Sequence, residues 1–197
     1  MAVKILIATT NPGKVLEISQ LFGNSLFEFV NLRDFENMPV APEDSEEFEL
    51  NAMFKAKHYA GHINMATVAE DAGLSIPVLG GWPGVQSARI GSDDKERIGL
   101  VLDRMKAFAG DDRKAMFVSV AAFFDPVVNT IITFKGILNG RLLAKPKGSN
   151  GFGYDPIFFN DQFNVTLAEL STEEKNSISH RGKSIKALAN WLEGYYR

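Results

Sequence analysis

The chain has 197 residues, 45% of them apolar, enough to bury one sizeable core and near the upper end of ordinary single domains. A formal net charge of -3 excludes a global basic field for a nucleic-acid backbone, and the lack of cysteine excludes disulfides, thiolate metal sites and a cysteine nucleophile. No stretch approaches the roughly 18 to 20 apolar residues of a membrane span, and Met1 to Ala8 lacks the basic region and cleavage site of a leader. The expectation is one cytoplasmic domain over residues 1–197, with no nucleic-acid or membrane partner.

Val3 to Ala8 is apolar, β-branched and followed by polar turn residues, as in a buried strand. Val15, Ile18, Leu21 and Phe22 then recur at helical spacing until Gly23 and Asn24 stop the run. Leu26 to Leu32 reads as a second strand, and a helix is expected from about Glu46 to Ile63 with Phe48, Ala52, Ala56 and Tyr59 on one face. Ala66 to Ala69 reads as a short strand ending at Glu70-Asp71, followed by a Gly- and Pro-rich loop from Ala72 to Gly91. Glu96 to Phe108 is in helical register. Ala115 to Phe124 and Val127 to Leu138 read as long strands turning at Asp125-Pro126, Ile157 to Phe159 as a short strand, and Ile185, Leu188, Ala189, Leu192 and Tyr196 as the stripe of a C-terminal helix. Early strand-helix alternation with a later hairpin predicts an α/β fold, a mixed β-sheet flanked by helices, with two lobes around a central cleft.

Five segments carry candidate chemistry. Thr9-Thr10-Asn11-Pro12-Gly13-Lys14 sits where a strand hands over to a helix, and free N–H groups, the helix dipole and Lys14 all favour an anion such as phosphate there. It is not a Walker loop, since Ala8 and Val15 stand where that motif needs glycine and a hydroxyl; an ordinary strand-to-helix turn has the same punctuation. Glu43 and Glu70-Asp71 offer oxygen ligands for a hard cation, although the acidic stretch around Glu43 also suits a helix N-terminus. Leu79-Gly80-Gly81-Trp82-Pro83-Gly84-Val85 to Arg89 reads as a shaped loop, either over a ligand or as a surface Ω-loop. Gly148-Ser149-Asn150-Gly151-Phe152-Gly153-Tyr154-Asp155-Pro156 lets a flat ligand approach the Phe152 ring between glycines, or plugs a core with it. Lys175 and Ser179-His180-Arg181-Gly182-Lys183 bring cations to the first turn of a helix, against its dipole, which an anionic or carbonyl-rich ligand would reverse.

In order and spacing, ATTNPGK, EDAGL, LGGWPGVQSAR, GFGYDPIF and EKNSISHRGK closely resemble the inosine/xanthosine triphosphate pyrophosphatase family over nearly the whole chain. The resemblance implies a magnesium-dependent homodimer that cuts non-standard purine nucleoside triphosphates to the monophosphate and pyrophosphate. By position it implies a phosphate-side loop at Thr9, Thr10, Asn11, Pro12, Gly13 and Lys14, a catalytic, metal-associated Asp71, and a second metal ligand in Glu43. It also implies a triphosphate lysine in Lys55, a base-binding segment in Phe152, Gly153, Tyr154 and Asp155, a further substrate lysine in Lys175, and purine reading by His180 and Arg181. Ala72 departs from the family's usual serine or threonine and removes one hydroxyl from the substrate contacts. Rival readings are a pyrophosphatase for modified pyrimidine nucleotides, a catalytically silent nucleotide sensor and a nucleic-acid-binding protein, the last disfavoured by the acidic balance.

Overall fold

The apolar run at the start of the chain forms β1 (Val3–Ile7) in the computed structural model, which describes residues 2–23 and 26–197. Helix α1 (Pro12–Phe22) follows directly. Asn11 caps it by accepting from the N–H groups of Gly13 and Lys14, and Pro12 occupies the first turn, where its missing N–H costs nothing. Gly23, at φ 63°, ends the helix; Asn24, the other expected stop, lies outside the described residues, as does Met1. Strand β2 (Phe27–Asn31) pairs with β1 in parallel. Helix α2 (Phe48–Ile63) starts two residues later than expected and closes at Asn64 in the left-handed conformation.

The next element corrects the expectation. Strand β3 (Thr67–Ser75) runs through Glu70-Asp71 instead of stopping there, and takes in the first residues assigned to the following loop. In sequence an apolar run reads as ending at a charge, but a strand continues where cations on neighbouring elements answer that charge. Helix α3 (Asp94–Arg104) is set earlier and shorter than expected, because the Asp93 side chain caps it through the Glu96 N–H. Strands β4 (Lys114–Asp125) and β5 (Thr130–Leu142) are joined by a turn that runs past the expected one. The Asp125 carboxylate accepts from the Val127 N–H and Asn129 takes a positive φ of 54°, leaving Val127 and Val128 on the surface. Strands β6 (Phe158–Asn160) and β7 (Val165–Thr166) and helices α4 (Thr172–Ile178) and α5 (His180–Tyr195) complete the described elements; β7 and α4 were not expected.

The strands form a seven-stranded sheet in the order β2-β1-β3-β4-β5-β6-β7. Strand β1 is parallel to β2 and β3, while β6 is antiparallel to β5 and β7, so the α/β fold with a mixed sheet is as expected. Among the described residues no helix is long and apolar enough to cross a membrane.

The chain divides into two compact units, Met1–Asp71 with Ser119–Gly136 and His180–Arg197, and Ala72–Val118 with Ile137–Ser179. In the first, the strands carry helices on both faces. Ile5, Ile7, Val68, Ala121 and Phe123 pack against α1 and α5 through Ile18, Phe22, Ile185 and Leu188. Leu6, Ala8, Ala69, Val120 and Ala122 pack against α2 through Ala52, Ala56 and Tyr59. In the second unit, Leu74, Val101, Phe117, Leu142, Tyr154, Phe158 and Leu167 form a core.

Candidate active site

Side chains alternate across a strand, so Glu70 follows Val68 toward α1 and α5, and Asp71 follows Ala69 toward α2. Glu70 is buried within a cage of donors. Arg181 Nε donates to its Oε1 at 2.9 Å and Nη2 to its Oε2 at 3.3 Å, Ser119 donates at 2.7 Å, and the Lys14 ammonium stands 3.0 Å from Oε2. Ser119 also hydrogen-bonds the Ser184 hydroxyl at 2.8 Å. The guanidinium of Arg181, itself 2% exposed, is ion-paired to buried Glu17 on α1 as well. Burial alone raises the Glu70 carboxyl, but Arg181, Lys14 and the Ser119 hydrogen bond outweigh it and hold the group far below the usual carboxylate range. For Arg181, burial disfavours the charge, and Glu70 and Glu17 overturn that effect.

Asp71 meets different company. Asn51 Nδ2 donates to it at 3.2 Å and the Lys55 ammonium lies 3.9 Å away. Lys55 also donates to the Glu70 carbonyl at 3.2 Å and is ion-paired to Glu43. Asn51 exchanges two hydrogen bonds of 3.0 Å with the Ser45 backbone, which ties down the connector that carries Glu43. Burial raises the Asp71 carboxyl; Lys55 and Lys14 lower it, Glu43 adds repulsion, and the balance stays above the ordinary value. Two adjacent residues of one strand are therefore pushed in opposite directions.

The second unit builds a separate cluster. Lys175, 3% exposed, donates to Asp155 at 2.5 Å and sits 4.6 Å from the centre of the Phe152 ring. The same Asp155 oxygen accepts from the Phe152 N–H at 3.0 Å. Gly151 has φ 75°, and a Cβ there would collide with that oxygen, so the carboxylate needs the missing side chain. Gly153 donates to Asp94 at 2.7 Å. Tyr154 is a core residue whose hydroxyl donates to the Ser87 carbonyl at 2.7 Å.

The first unit thus brings together Lys14, Glu43, Lys55 and Asp71 from separate parts of the sequence. The second holds Phe152, Gly153, Tyr154, Asp155 and Lys175. Thr9, Thr10, Asn11, Pro12 and Gly13 form the turn into α1; Thr9 Oγ1 accepts from the Asn11 N–H at 3.2 Å, and Arg33 donates to the Thr10 carbonyl at 2.5 Å. Ala72, the residue after Asp71 in β3, is partly buried. His180 and Arg181 open α5 as buried residues. The charge opposing the helix dipole at Arg181 meets carboxylates of the chain itself, Glu17 and Glu70, where an external anion was expected. Arg89 lies exposed in a turn of the second unit. Sequence reasoning passed over Glu17, Asn51, Ser119 and Ser184. The signal was present: each is a polar residue at a position where periodicity calls for an apolar one, Glu17 beside Ile18 and Ser184 between Arg181 and Leu188.

The Ham1 family profile matches residues 5–191, across both units. The chain is 38% identical to a dITP/XTP pyrophosphatase of Bacillus anthracis, with 98% of each chain covered. It is 39% identical to the dITP/XTP pyrophosphatase of Thermus thermophilus, covering 98% of this chain and 91% of that one. Among solved structures, a HAM1 protein from Coxiella burnetii superimposes with a TM-score of 0.88 at 35% identity, over 98% of this chain and 99% of the other. The Staphylococcus aureus Ham1 protein gives 0.85 at 34% identity, with the same coverage.

Proposed function

The chain belongs to the Ham1 family, and on that premise we propose that it clears non-canonical purine nucleoside triphosphates, ITP, dITP and XTP, with Asp71 as its catalytic carboxylate. The reaction is hydrolysis: water adds to phosphorus, the anhydride bond between the α- and β-phosphates breaks, and monophosphate and pyrophosphate leave. The observation that carries the Asp71 assignment is the opposed environments of Glu70 and Asp71. Glu70 is held ionised by Arg181 and Lys14, so its affinity for a proton is low. Asp71 is raised by burial, which gives it the stronger pull on a proton of the attacking water.

The donor set fits a hard divalent cation, and we assign magnesium to Glu43 and Asp71. Both carboxylates face the Lys55 ammonium, Glu43 in an ion pair and Asp71 at 3.9 Å, so two oxygen donors stand on one side of the sheet. Among the described residues no group of three His, Cys, Asp or Glu is placed to hold a metal, so Glu43 and Asp71 are the residues that would hold the ion. When bound, such an ion neutralises charge on the triphosphate. Lys55 and Lys14 supply fixed positive charge to the same end of the substrate, and Thr9 to Gly13 shape the turn beside Lys14. Ala72 contributes no hydroxyl there.

In the second unit Phe152 serves as the platform for the purine, flanked by Gly153, with Tyr154 anchoring the segment to its core and Asp155 and Lys175 setting the ring. Of the pair to which the resemblance gives the purine, His180 keeps the reading of the 6-oxo group, since a ring N–H suits a carbonyl and would be left unmatched by the amino group of adenine, while Arg181, whose guanidinium is taken up by Glu17 and Glu70, supports the start of α5 beside it. A homodimer in the cytoplasm completes the proposal. The experiment is pyrophosphate release from ITP with magnesium, comparing the protein with Asp71→Asn. The variant keeps shape and loses the base, with an expected fall of at least roughly 100-fold. Equal release by both would remove Asp71 from the mechanism.

A further inference from the structure

Glu17 has no part in the chemistry above, yet its carboxylate is buried at mid-helix in α1 and ion-paired to Arg181. A buried carboxylate is retained only where it is paired and hydrogen-bonded. Here it begins an alternating series of charges. Glu17 takes Nη1 of Arg181; Nε and Nη2 of that guanidinium go to Glu70; and the Oε2 of Glu70 takes the ammonium of Lys14. The series runs from the interior to a side chain that is 17% exposed at the first turn of α1. Ser119 and Ser184 brace its middle, Ser119 on the Glu70 carboxylate and Ser184 on Ser119 and the Arg181 carbonyl at 3.2 Å.

We infer that Glu17 is a positioning residue for triphosphate binding: by holding one edge of Arg181 it fixes Glu70, and Glu70 fixes where the Lys14 ammonium stands. The inference rests on the reading of Lys14 as a phosphate-binding group. A guanidinium held on two sides has one orientation, and one held on a single side swings about it. With Glu17 neutral, Arg181 turns wholly to Glu70, and the oxygen that faced Lys14 is drawn away. The ammonium then loses its fixed place, and a misplacement of this kind weakens a pre-organised anion site even though no contacting residue has changed.

The test is a double-mutant comparison of Glu17→Gln, Lys14→Gln and the pair, read as the Kd of inorganic triphosphate by calorimetry and as KM and kcat on ITP. Glu17→Gln alone is expected to raise the Kd and KM by roughly 10- to 100-fold, with a smaller change in kcat. In the Lys14→Gln background it is expected to add less than about 2-fold, because the group it positions is gone. Thermal unfolding of all three separates loss of fold, which is the same in both backgrounds. Should Glu17→Gln not fold, Glu17→Asp keeps the buried charge one methylene short and enters the same comparison. An equal loss of affinity in both backgrounds overturns the inference and leaves Glu17 a purely structural ion pair. If Lys14→Gln by itself binds inorganic triphosphate like the unaltered protein, the reading of Lys14 fails, and this inference with it.

Discussion

Replacing Lys175 with methionine tests whether the aromatic platform of the second unit is held up from beneath. Methionine roughly keeps the volume and removes the ammonium, so the buried Asp155 carboxylate loses its 2.5 Å partner and keeps the Phe152 N–H. Breaking a buried pair by deleting one member costs about 3 to 5 kcal/mol. For a chain of this size each kcal/mol moves Tm by about 2 to 4 °C, so a drop of roughly 6 to 20 °C is expected by calorimetry. The double variant Lys175→Met/Asp155→Asn removes the stranded charge while its amide oxygen still accepts from Phe152, and is expected to recover a good part of that loss. Phe152 also loses the cation at its ring face. If base stacking depends on that support, up to about 1 to 3 kcal/mol of it is at risk, a rise in KM for ITP of roughly 5- to 150-fold. A single variant as stable as the double would show that Lys175 does not neutralise Asp155, and an unchanged KM would show that it does not hold the ring.

Two further outcomes follow from the geometry. Gly136→Ala in β5 would drive a Cβ into the His180 carbonyl oxygen and against the Ser184 N–H at the start of α5, both backbone groups that have no room to give; soluble yield and Tm should both collapse, and a variant with near-normal Tm would show that the α5 start yields. Glu43→Gln keeps shape and removes one of the two carboxylates assigned to the ion, so the magnesium concentration for half-maximal activity should rise by at least roughly 10-fold; an unchanged magnesium titration removes Glu43 from the ion's site.

Much of the fold was legible because buried strands and amphipathic helices leave periods that survive without a partner in view: β1, α1, β2, α2 and α5 fall close to where apolar spacing puts them. The misses share a cause. Strand β3 was cut short at Glu70 because nothing local says that Arg181, distant in sequence, will neutralise it. The turn after β4 was read as the pair Asp125-Pro126 because proline is a strong local signal; the turn does start there, but it runs on to Asn129, whose side chain tolerates positive φ, so β5 starts later than expected. Helix α4 has its own capping box, Ser171 with Glu174, but at seven residues it carries too little stripe to stand out. The candidate site residues were named mostly by resemblance; spacing alone left Glu43 inside an acidic stretch and Phe152 as a candidate core plug.

The placement of Glu70 next to Asp71 explains how one short segment serves two purposes. Strand alternation sends the neighbours to opposite faces of the sheet, so each is tuned chiefly by its own set of helices, with Lys14 acting on both. Glu70, on the α1 and α5 face, is depressed by Arg181 and Lys14, so the stability it contributes is present above its unfolded value of about 4.3 and is lost only as pH falls through the much lower folded value. Asp71, on the α2 face, is raised, and therefore takes up its proton first on acidification. On the proposed assignment of Asp71 as the base, the acid limb of activity is expected to precede loss of the Glu70 cluster, with Asp71 protonated while the ion pairs that hold Lys14 are still intact; an acid limb that coincides with unfolding, followed by circular dichroism, would refute it. A one-residue slip of β3 would exchange the two environments, turning Asp71 toward α1 and α5 and Glu70 toward α2. The register of β1 against β3, Leu6 opposite Thr67 and Ile7 opposite Val68, is for that reason what decides which carboxylate meets which set of cations.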